Sequence, residues 1–516
     1  MFNLENLDET ELARAIPAVM GTQHPDNYSA VPFADQAMVH FEQEPTEVYY
    51  NFAHLGVTEV MIDTEGKKGD LIPFVNVVEH DIDFFRTHVV GQDFHITPRI
   101  PNPDKSRNDP VFYQSLGIFI NSLLVQTYRL GVRHRQAITE FIVPDTVNGR
   151  VIPELEVDIE RKFEMVRERY PKYGDRSDFP FRGDFSVQGI PLIEDVEHLL
   201  DQPSIWDELA AQRQALTGRE THVQRSFIAR SDPALKAGMV PAMLAAVAAI
   251  RQGADYERRT GRIVPQILGV GSSPFRGGLT PNTLGTFGRT YQGVATVTVQ
   301  SAFRYDWPEP SVLRALRQLK EMLPRSWRGR HDVEPLDDTE LDEIRRVIRL
   351  FKRRYEEGVE ELGETTLAIA EAVPPRRDRY KFRGVGSYGR KVAGRPAPRA
   401  IRFCAAFYSL GLPPGLLGLR AYYELNEAQQ ELLGKLLPEL TTWLLHEAEY
   451  LNKCNVLSMN ASCYLQDVEA LEQLHGGALP YNSPHAEVSD AIYHAPDDNG
   501  LGQRIIEAAR ERRFLG

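Results

Sequence analysis

The sequence has 516 residues, of which 42% are hydrophobic and 25% are charged, a composition typical of a globular protein that buries a large core. With 72 acidic and 59 basic residues its formal net charge is −13, which argues against a general affinity for nucleic acids or anionic membranes. The three cysteines show neither CxxC spacing nor a companion histidine pattern, so we predict neither a structural zinc site nor a disulfide framework.

The apolar segments of the chain predict a soluble, cytoplasmic protein. The first 17 residues are acidic and lack the apolar stretch of a signal peptide. The longest apolar run, residues 237–250, is interrupted by Pro241 and is shorter than a membrane-spanning helix.

Short β-branched or apolar segments alternate with helical patterns through the first 306 residues. Eight such alternations predict an α/β fold, a (β/α)8 TIM barrel, in which functional groups lie where the strands end. The predicted strands cover residues 16–21, 58–63, 94–99, 137–143, 186–193, 226–229, 263–270 and 296–303. The helical patterns between them include residues 110–130, 159–169, 196–213 and 236–252.

After residue 306 the pattern is mainly helical. Apolar residues recur at helical spacing from Leu341 to Tyr355, following a helix start signal at residues 337–339, and further helical patterns cover residues 359–372, 400–410, 427–450 and 503–513. We therefore predict a barrel core over residues 1–306 that carries the metal and substrate site. A helical extension over residues 307–516, with an Arg/Gly-rich active-site loop at 376–399 and a C-terminal tail, should pack on it to form one catalytic unit.

The charged residues are unevenly distributed, and one region is strongly basic. Residues 376–402 hold eight arginines and two lysines against a single acid, Asp378. A nucleic-acid patch is one interpretation, but no aromatic stacking series accompanies it, and a site for a small polyanion is favoured. The GxGxxG match at residues 384–389 follows no strand and lacks an acidic ribose partner, so we interpret it as a mobile loop rather than a dinucleotide site.

Polar residues follow almost every predicted strand. One charged residue at a strand end is most often a cap or a solvated loop residue, but contributions from nearly all eight strands are not expected by chance. Carboxylates and arginines on one rim predict a Mg²⁺ or Mn²⁺ site beside an anion site. The residues at these positions are His24, Glu59, Asp63, Glu65, Arg99, Asp145, Glu194, Asp195, Arg230, Asp232, Lys236, Arg276, Gln300 and Arg304.

The segment that follows the first predicted strand, Gly21-Thr22-Gln23-His24-Pro25-Asp26-Asn27, has an unusual local chemistry. Pro25 fixes its own φ and biases His24 toward an extended backbone, which suits a side chain that must be aimed. Read alone, the segment fits equally well a strand-to-turn junction with a satisfied histidine.

The chain resembles the short, archaeal type of phosphoenolpyruvate carboxylase over nearly its full length. Residues 21–27 are similar to the N-terminal signature of that family, which usually has Ser in place of Gly21. Residues 398–401 and 408–414 are similar to its C-terminal signature, and the ending Arg513-Phe514-Leu515-Gly516 fits its short apolar tail. Residues 191–194, 231–232 and 276–278 resemble metal and loop segments of the longer bacterial and plant carboxylases.

The resemblance implies a reaction and a set of site residues. Bicarbonate would attack the phosphorus of phosphoenolpyruvate to give carboxyphosphate and pyruvate enolate, and the enolate would capture CO₂ to form oxaloacetate in an irreversible, anaplerotic fixation of carbon. It implies Mg²⁺ or Mn²⁺ on Glu194 and Asp232, with His24 as the base for carboxyphosphate and arginines on the phosphoryl oxygens. The implied catalytic residues are His24, Arg276, Arg399, Arg390 and Lys236, and the implied substrate-binding residues are Gln23, Arg230, Gly277, Gly278, Gln300 and Arg304.

Two further expectations accompany the resemblance, together with two departures from the longer enzymes. Glycines 384, 386, 389 and 394 suggest that residues 383–396 form a water-excluding lid, and the family implies a homotetramer. The chain departs from the long carboxylases in two places: only half of their doubled Gly-Arg-Gly-Gly loop is present, and Lys236 follows Asp232 by four residues instead of three.

Two other functions fit part of the pattern. Another barrel lyase or phosphotransferase acting on phosphoenolpyruvate or a pyruvate enolate would explain Glu194, Asp232 and the arginines, but it would not explain His24 or the segment around Arg399. A non-catalytic barrel scaffold would be favoured by loss of a metal carboxylate or of the histidine, and the sequence retains them all.

Overall fold

The computed structural model describes residues 9–64, 73–106, 116–169, 181, 185–378, 391–392, 394–496 and 499–516. Its centre is a closed barrel of eight parallel strands in sequential order, in which β1 pairs with both β2 and β8. The predicted (β/α)8 fold is therefore confirmed. The strands are β1 Val19–Gly21, β2 Glu59–Asp63, β3 His95–Arg99, β4 Glu140–Val143, β5 Gln188–Ile193, β6 Ser226–Ala229, β7 Gln266–Gly269 and β8 Thr296–Val299.

Helices connect the strands and continue after the barrel closes. Those up to the end of the barrel are α1 Glu9–Ala15, α2 Glu44–Ala53, α3 Pro73–His80, α4 Ile82–Thr87, α5 Pro103–Ser106, α6 Gly117–Leu130, α7 Val151–Arg169, α8 Val196–Leu200, α9 Gln202–Thr217, α10 Ser231–Ala237, α11 Met239–Thr260, α12 Leu284–Thr290 and α13 Ser301–Tyr305. Those that follow are α14 Glu309–Arg328, α15 Asp338–Ala372, α16 Ala400–Ser409, α17 Glu427–Leu436, α18 Leu440–Ala448, α19 Lys453–Ser458, α20 Ser462–His475, α21 Ser483–His494 and α22 Leu501–Arg512. Short 3-10 turns include Pro274–Arg276 and Pro414–Leu416, and β9 Lys391–Val392 pairs antiparallel with β10 Arg395–Pro396.

Several predicted boundaries were wrong for identifiable reasons. The last strand was predicted to reach residue 303, but β8 ends at Val299 and residues 301–305 form α13. A strand ends where its neighbours stop offering hydrogen bonds, which a local β-branched pattern does not show. Two predicted helices are divided by backbone breakers: Gly238, at φ 97°, separates α10 from α11, and Pro438 lies between α17 and α18.

The inside of the barrel and its outer layer form separate apolar cores. Met20, Met61, Ile190 and Phe227 belong to a compact cluster inside the barrel. The larger core lies between the strands and the helices, and it runs without interruption into α16, α18 and α22. The helices after residue 306 thus share the core of the barrel, whereas the division of the chain at that residue stays a prediction.

A buried ionic network closes the barrel at the amino ends of its strands. Arg225, which precedes β6 and is 1% exposed, donates from both terminal nitrogens to Glu59 at 2.8 and 2.9 Å and from Nη1 to Glu140 at 2.8 Å. Thr97 donates to Glu59 Oε1 at 2.6 Å. Glu59 begins β2, so the expectation that it joins the functional rim was wrong: it lies at the opposite end of the barrel.

Burial and the charge of the Arg225 guanidinium together determine the protonation of the acids in this network. Burial alone raises the pKa of Glu59, but the charge and hydrogen bonds of Arg225 outweigh it and leave that pKa lowered. Burial keeps the pKa of Glu140 raised despite Arg225. Burial also lowers the pKa of His95 to about 4, so that its ring is neutral beside the ion pair. The ion pair of Arg225 and Glu59 at the centre of the network is therefore charged on both sides.

No single helix in the described part of the chain is long and apolar enough to cross a membrane. One bent pair, α16 followed by Pro414–Glu424 at 97°, reaches the necessary length and composition.

Candidate active site

The loop after β1 carries His24 across the carboxyl end of the barrel. The backbone of Thr22 donates to Val299 O at 3.2 Å, and His24 O accepts from the backbone of Ser301 at 3.3 Å. These two hydrogen bonds attach the loop to the end of β8. Nδ1 of the partly exposed His24 ring lies 3.0 Å from Thr22 Oγ1. This contact orients the imidazole and leaves Nε2 pointing away from the threonine.

Asp26 joins this loop to two others. Its buried carboxylate accepts from the backbone of Ala302 at 2.7 Å, from the backbone of Ser272 at 3.4 Å and from Arg276 Nη1 at 3.3 Å. Burial raises the pKa of Asp26, while the charge of Arg276 and the two backbone donors oppose that effect. Asp26 therefore sets the position of the His24 loop relative to the loop that carries Arg276.

Asp306 holds the far side of the same loop. Its carboxylate accepts from the backbone amides of Tyr28 and Ser29, each at 3.0 Å, and from Ser29 Oγ at 2.5 Å. Burial raises the pKa of Asp306 to about 8, the hydrogen bonds oppose the shift, and the charge of Asp26 adds to it. Two buried acids thus fix the segment on either side of Asn27.

Arg276 makes four side-chain hydrogen bonds at the rim. Its guanidinium is buried: Nε donates to Ser231 Oγ at 3.1 Å and Nη2 donates to Gln300 Oε1 at 2.5 Å. Nη1 donates to Asp26 and, at 2.6 Å, to the carbonyl oxygen of Gly516. One side chain therefore ties together the ends of β6, β7 and β8, the His24 loop and the final residue of the sequence.

Gly277 and Gly278, which follow Arg276, are required by the geometry of the turn. Their φ angles are 121° and 71°, which side chains disfavour. A Cβ at Gly277 would overlap Val270, and a Cβ at Gly278 would overlap the indole of Trp443. The close approach of the backbone to α18 explains these glycines, and their contact with substrate stays a prediction.

The two predicted metal carboxylates follow neighbouring strands. Glu194 comes directly after β5, Asp232 lies in the first turn of α10 after β6, and both are partly exposed. Lys236, one turn further along α10, donates from Nζ to Glu194 O at 3.0 Å. Within the described ranges, no group of three or more His, Cys, Asp or Glu side chains could hold a metal ion unaided.

Lys105 lies beside this group and was not singled out from the sequence. It forms an ion pair with Asp145, a residue with a positive φ of 50° at the end of β4. Burial lowers the pKa of Lys105, and the charge of Lys236 lowers it further, while Glu194 and Asp195 raise it. Lys105 was not identified from the sequence, because it lies in α5, several residues beyond the end of β3, and only residues directly at the strand ends were considered.

The other predicted substrate-binding residues are buried in contacts with the protein itself. Arg304 donates to Glu47 at 3.1 Å and to Asn51 at 2.8 Å, which ties α13 to α2. Arg230 donates from Nε to Tyr291 Oη at 3.0 Å. Gln23 accepts from the backbone of Asp63 at 3.2 Å, and Gln300 accepts from Arg276. These bonds support the rim, and direct contact with substrate stays a prediction for all four residues.

The start of the basic region is anchored near the His24 loop. Arg377 is buried and donates to Glu44 at 3.1 Å and to Glu47 at 2.6 Å, while Arg376 donates to the carbonyl oxygen of Asn27 at 3.1 Å. Arg390, Glu65 and most of the predicted lid lie outside the described residues. Of the remainder, β9 packs on α10. Arg399 is an exposed residue that caps the start of α16.

Gly516 is held where a side chain does not fit. A Cβ there would overlap the carbonyl oxygen of Ile401 and would lie 2.7 Å from the backbone nitrogen of Ala405. The backbone of Leu515 also donates to Asp26 O at 2.6 Å. Thr22, Asp26, Asp306 and Gly516 were not assigned roles from the sequence, because short-range patterns do not show which loops meet at a rim.

We expect Gly516→Ala to lower kcat/KM by about tenfold or more, because it displaces the residue that accepts from Arg276 Nη1, and small displacements of catalytic groups are costly. Steady-state kinetics measure the effect. Gly434→Ala in α17, where a Cβ meets nothing within 4 Å, is the matched control and should leave kcat/KM unchanged. Equal kinetics for the two variants would contradict the expected role of Gly516.

A closed parallel barrel whose carboxyl end gathers a histidine loop, arginines and two partly exposed carboxylates defines a TIM-barrel enzyme. A family model described as phosphoenolpyruvate carboxylase matches residues 16–516. The chain belongs to the phosphoenolpyruvate carboxylase family.

Similar proteins include curated phosphoenolpyruvate carboxylases from archaea and from one bacterium. That of Methanothermobacter thermautotrophicus is 32% identical over 509 residues, covering 97% of this chain and 100% of the relative. That of Halobacterium salinarum is 32% identical over 514 residues, covering 97% and 99%. That of Leuconostoc mesenteroides is 31% identical over 525 residues, covering 98% and 100%.

Proposed function

We propose that this enzyme converts phosphoenolpyruvate and bicarbonate to oxaloacetate and phosphate. The observation that carries the proposal is the family match over residues 16–516, which includes every predicted site residue. The geometry supports it, because the His24 and Arg276 loops meet through Asp26 at the carboxyl end of the barrel. Functional groups of TIM-barrel enzymes lie at that end.

His24 is the proposed base. After a bicarbonate oxygen attacks phosphorus and the bond between phosphorus and the enol oxygen breaks, the products are carboxyphosphate and pyruvate enolate. Removal of the carboxyphosphate proton by His24 releases CO₂ and phosphate, and the enolate carbon then bonds to CO₂. Imidazole can accept a proton near neutral pH, and the contact of Nδ1 with Thr22 fixes the orientation of the ring.

Glu194 and Asp232 are the proposed ligands of Mg²⁺ or Mn²⁺. They are hard oxygen donors on adjacent strand ends, and Mg²⁺ is commonly held by one or two carboxylates plus substrate oxygens, so the donor set fits. When bound, the ion would neutralise charge that develops on the enolate oxygen. Lys236, fixed on Glu194 O, adds a positive charge at the same place.

Arg276, Arg399 and Arg390 are the proposed phosphoryl-binding residues. Arginine presents a planar fork of donors that matches phosphate. The guanidinium of Arg276 donates to Ser231, Asp26, Gly516 and Gln300, which accounts for four of its five N–H groups, so a phosphoryl oxygen would accept from the second N–H of Nη2 or share one of the other four. Arg399 is exposed at the start of α16, where solvent and a phosphoryl group can approach it.

A coupled assay tests the proposed function. Phosphoenolpyruvate, Mg²⁺ and bicarbonate are supplied with malate dehydrogenase and NADH but without nucleotide, and we expect bicarbonate-dependent loss of NADH. Release of pyruvate and phosphate without oxaloacetate would instead indicate another reaction of the same barrel superfamily. No turnover with either Mg²⁺ or Mn²⁺ would exclude the carboxylase function. We also expect a cytoplasmic homotetramer, which sedimentation and cell fractionation can check.

Asp232→Asn tests the metal ligands without relying on turnover. Phosphoenolpyruvate with Mg²⁺ should raise the thermal midpoint of the native enzyme, because a ligand at 100 times its Kd stabilises by about 2.7 kcal/mol. The variant should lose that shift, since an amide neither carries the charge nor binds Mg²⁺ as well. Asp207→Asn, at an exposed position on α9, is the control and should keep the shift. An undiminished shift in Asp232→Asn would exclude Asp232 as a ligand.

A further inference from the structure

The loop of residues 271–278, called here the Arg276 loop, packs against the helical region that follows the barrel. The phenyl ring of Phe275 lies 5.8 Å from that of Phe403 in α16 and 6.4 Å from that of Tyr355 in α15. Gly278 lies against Trp443 in α18, and the Trp443 indole donates to Thr290 at 2.9 Å. The conformation of this barrel loop therefore depends on helices that begin 60 or more residues further along the chain, since the first of them, α15, starts at Asp338.

One buried acid lies at the centre of this support. Glu447, one turn after Trp443 in α18, has no exposed surface. Its Oε1 accepts from Tyr408 Oη at 2.6 Å, and its Oε2 accepts from the backbone of Gly415 at 3.1 Å. The backbone N–H of Phe275 also stabilises its charged form. Glu447 thus joins α16 to α18, the two helices that pack against the Arg276 loop through Phe403 and Trp443.

The environment of Glu447 resembles that of Asp306, whose donors are also a hydroxyl and backbone amides, and differs from that of buried acids paired with an arginine. Glu59 and Glu47 each form ion pairs with a buried arginine, whereas the donors to Glu447 are a hydroxyl and backbone amides. Burial raises the pKa of Glu447 to about 7, and the hydrogen bonds from Tyr408, Gly415 and Phe275 oppose that rise. An acid retained in an apolar core at this cost needs a reason, and packing alone would favour leucine.

We propose that Glu447 is a positioning residue for Arg276, acting by joining α16 to α18, the helices whose Phe403 and Trp443 pack against the Arg276 loop. The proposal rests on the proposed function, in which Arg276 binds the phosphoryl group. Phe275 is adjacent to Arg276, and the two positive-φ glycines that follow let the loop shift as a unit once its support is removed. A shift of about 1 Å at such a residue can cost 100-fold in rate.

Asp467 in α20 offers a matched comparison. It is equally buried, and it accepts from the backbone amides of Gly418 and Arg420, each at 2.9 Å. It also accepts from Arg420 Nη1 at 2.8 Å, and none of these partners belongs to the Arg276 loop. Loss of either acid should destabilise the same helical region, but only loss of Glu447 should change the position of Arg276.

The experiment compares Glu447→Leu and Glu447→Gln with Asp467→Leu in the full-length enzyme. Glu447→Leu should raise the KM for phosphoenolpyruvate about tenfold and lower kcat/KM by 50-fold or more. Glu447→Gln keeps an oxygen acceptor for the backbone of Gly415 and should stay within about threefold of the native value. Asp467→Leu should lower the thermal midpoint as much as Glu447→Leu does, with KM and kcat unchanged in the folded enzyme.

Two outcomes would overturn the proposal: native kinetics in Glu447→Leu, or equal kinetic losses in Glu447→Leu and Asp467→Leu. If Glu447→Leu does not fold, Gly415→Ala replaces it, because a Cβ at Gly415 would overlap the Glu447 carboxyl group and displace it. That variant should also raise KM, and an unchanged KM would overturn the proposal. If the native enzyme binds phosphoenolpyruvate but forms no oxaloacetate, the proposed reaction fails. The same variants are then compared by the Kd for phosphoenolpyruvate from thermal shifts.

Discussion

Replacing Arg225 with methionine is expected to lower the free energy of unfolding by about 3–5 kcal/mol, because removing one partner of a buried ion pair leaves an uncompensated charge. Arg225 is 1% exposed and supplies both bonds to the Glu59 carboxylate and one to Glu140. Without the guanidinium, Glu59 must take up a proton or remain charged in an apolar interior. Denaturant unfolding followed by circular dichroism measures the loss.

The same variant separates stability from catalysis. The Arg225 network lies at the amino ends of the strands, opposite the rim that carries His24 and Arg276, so kcat per folded enzyme should not change. Arg346→Met removes an exposed ion pair with Glu343 on α15 and should alter the free energy of unfolding by no more than about 0.5 kcal/mol. A comparable loss in the free energy of unfolding in both variants would show that the buried network stabilises the protein no more than an exposed ion pair does.

His24→Asn should lower the rate of oxaloacetate formation by about 100- to 10,000-fold, the usual contribution of a general base. Asparagine retains polarity and similar volume but cannot accept the carboxyphosphate proton. The backbone bond from Ser301 to His24 O is independent of the side chain, so the loop should keep its position. The coupled assay measures oxaloacetate, and direct assays of pyruvate and phosphate show whether phosphoryl transfer continues without CO₂ capture.

His222→Asn is the matched control for this substitution. His222 is largely exposed and lies in the loop that precedes β6, at the end of the barrel away from His24. It should leave oxaloacetate formation within about twofold of the native rate, as surface substitutions usually do. If His24→Asn retained kcat within about threefold of the native enzyme, His24 could not be the base.

The sequence predicted the barrel because each strand carries its own local signal. Residues 226–229 form a buried strand with the predicted bounds, and the other strands lie within the predicted segments. Their ends were less well predicted, as β8 shows, since pairing with β7 and β1 decides where a strand stops. Glu59 was assigned to the wrong rim for a related reason: it starts β2, and composition does not distinguish the two ends of a strand.

Of the site, the sequence identified the loops but not the contacts between them. His24, Arg276 and Gln300 were selected as residues at strand ends, and the structure joins Arg276 to Gln300 and, through Asp26, to the His24 loop. The partners Asp26 and Gly516 were missed, because Gly516 contacts a residue 240 positions earlier in the chain.

By itself, the sequence determined the fold class, the family signatures and the residue types at the strand ends, because these follow from local periodicity and from short motifs. Only the tertiary structure decided which of those residues share hydrogen bonds and which face the opposite end of the barrel. It also showed that Glu447, deep in the helical region, joins the two helices that pack against the Arg276 loop. Such contacts depend on how distant segments pack, and burial then sets the pKa values of acids such as Asp306 and Glu447.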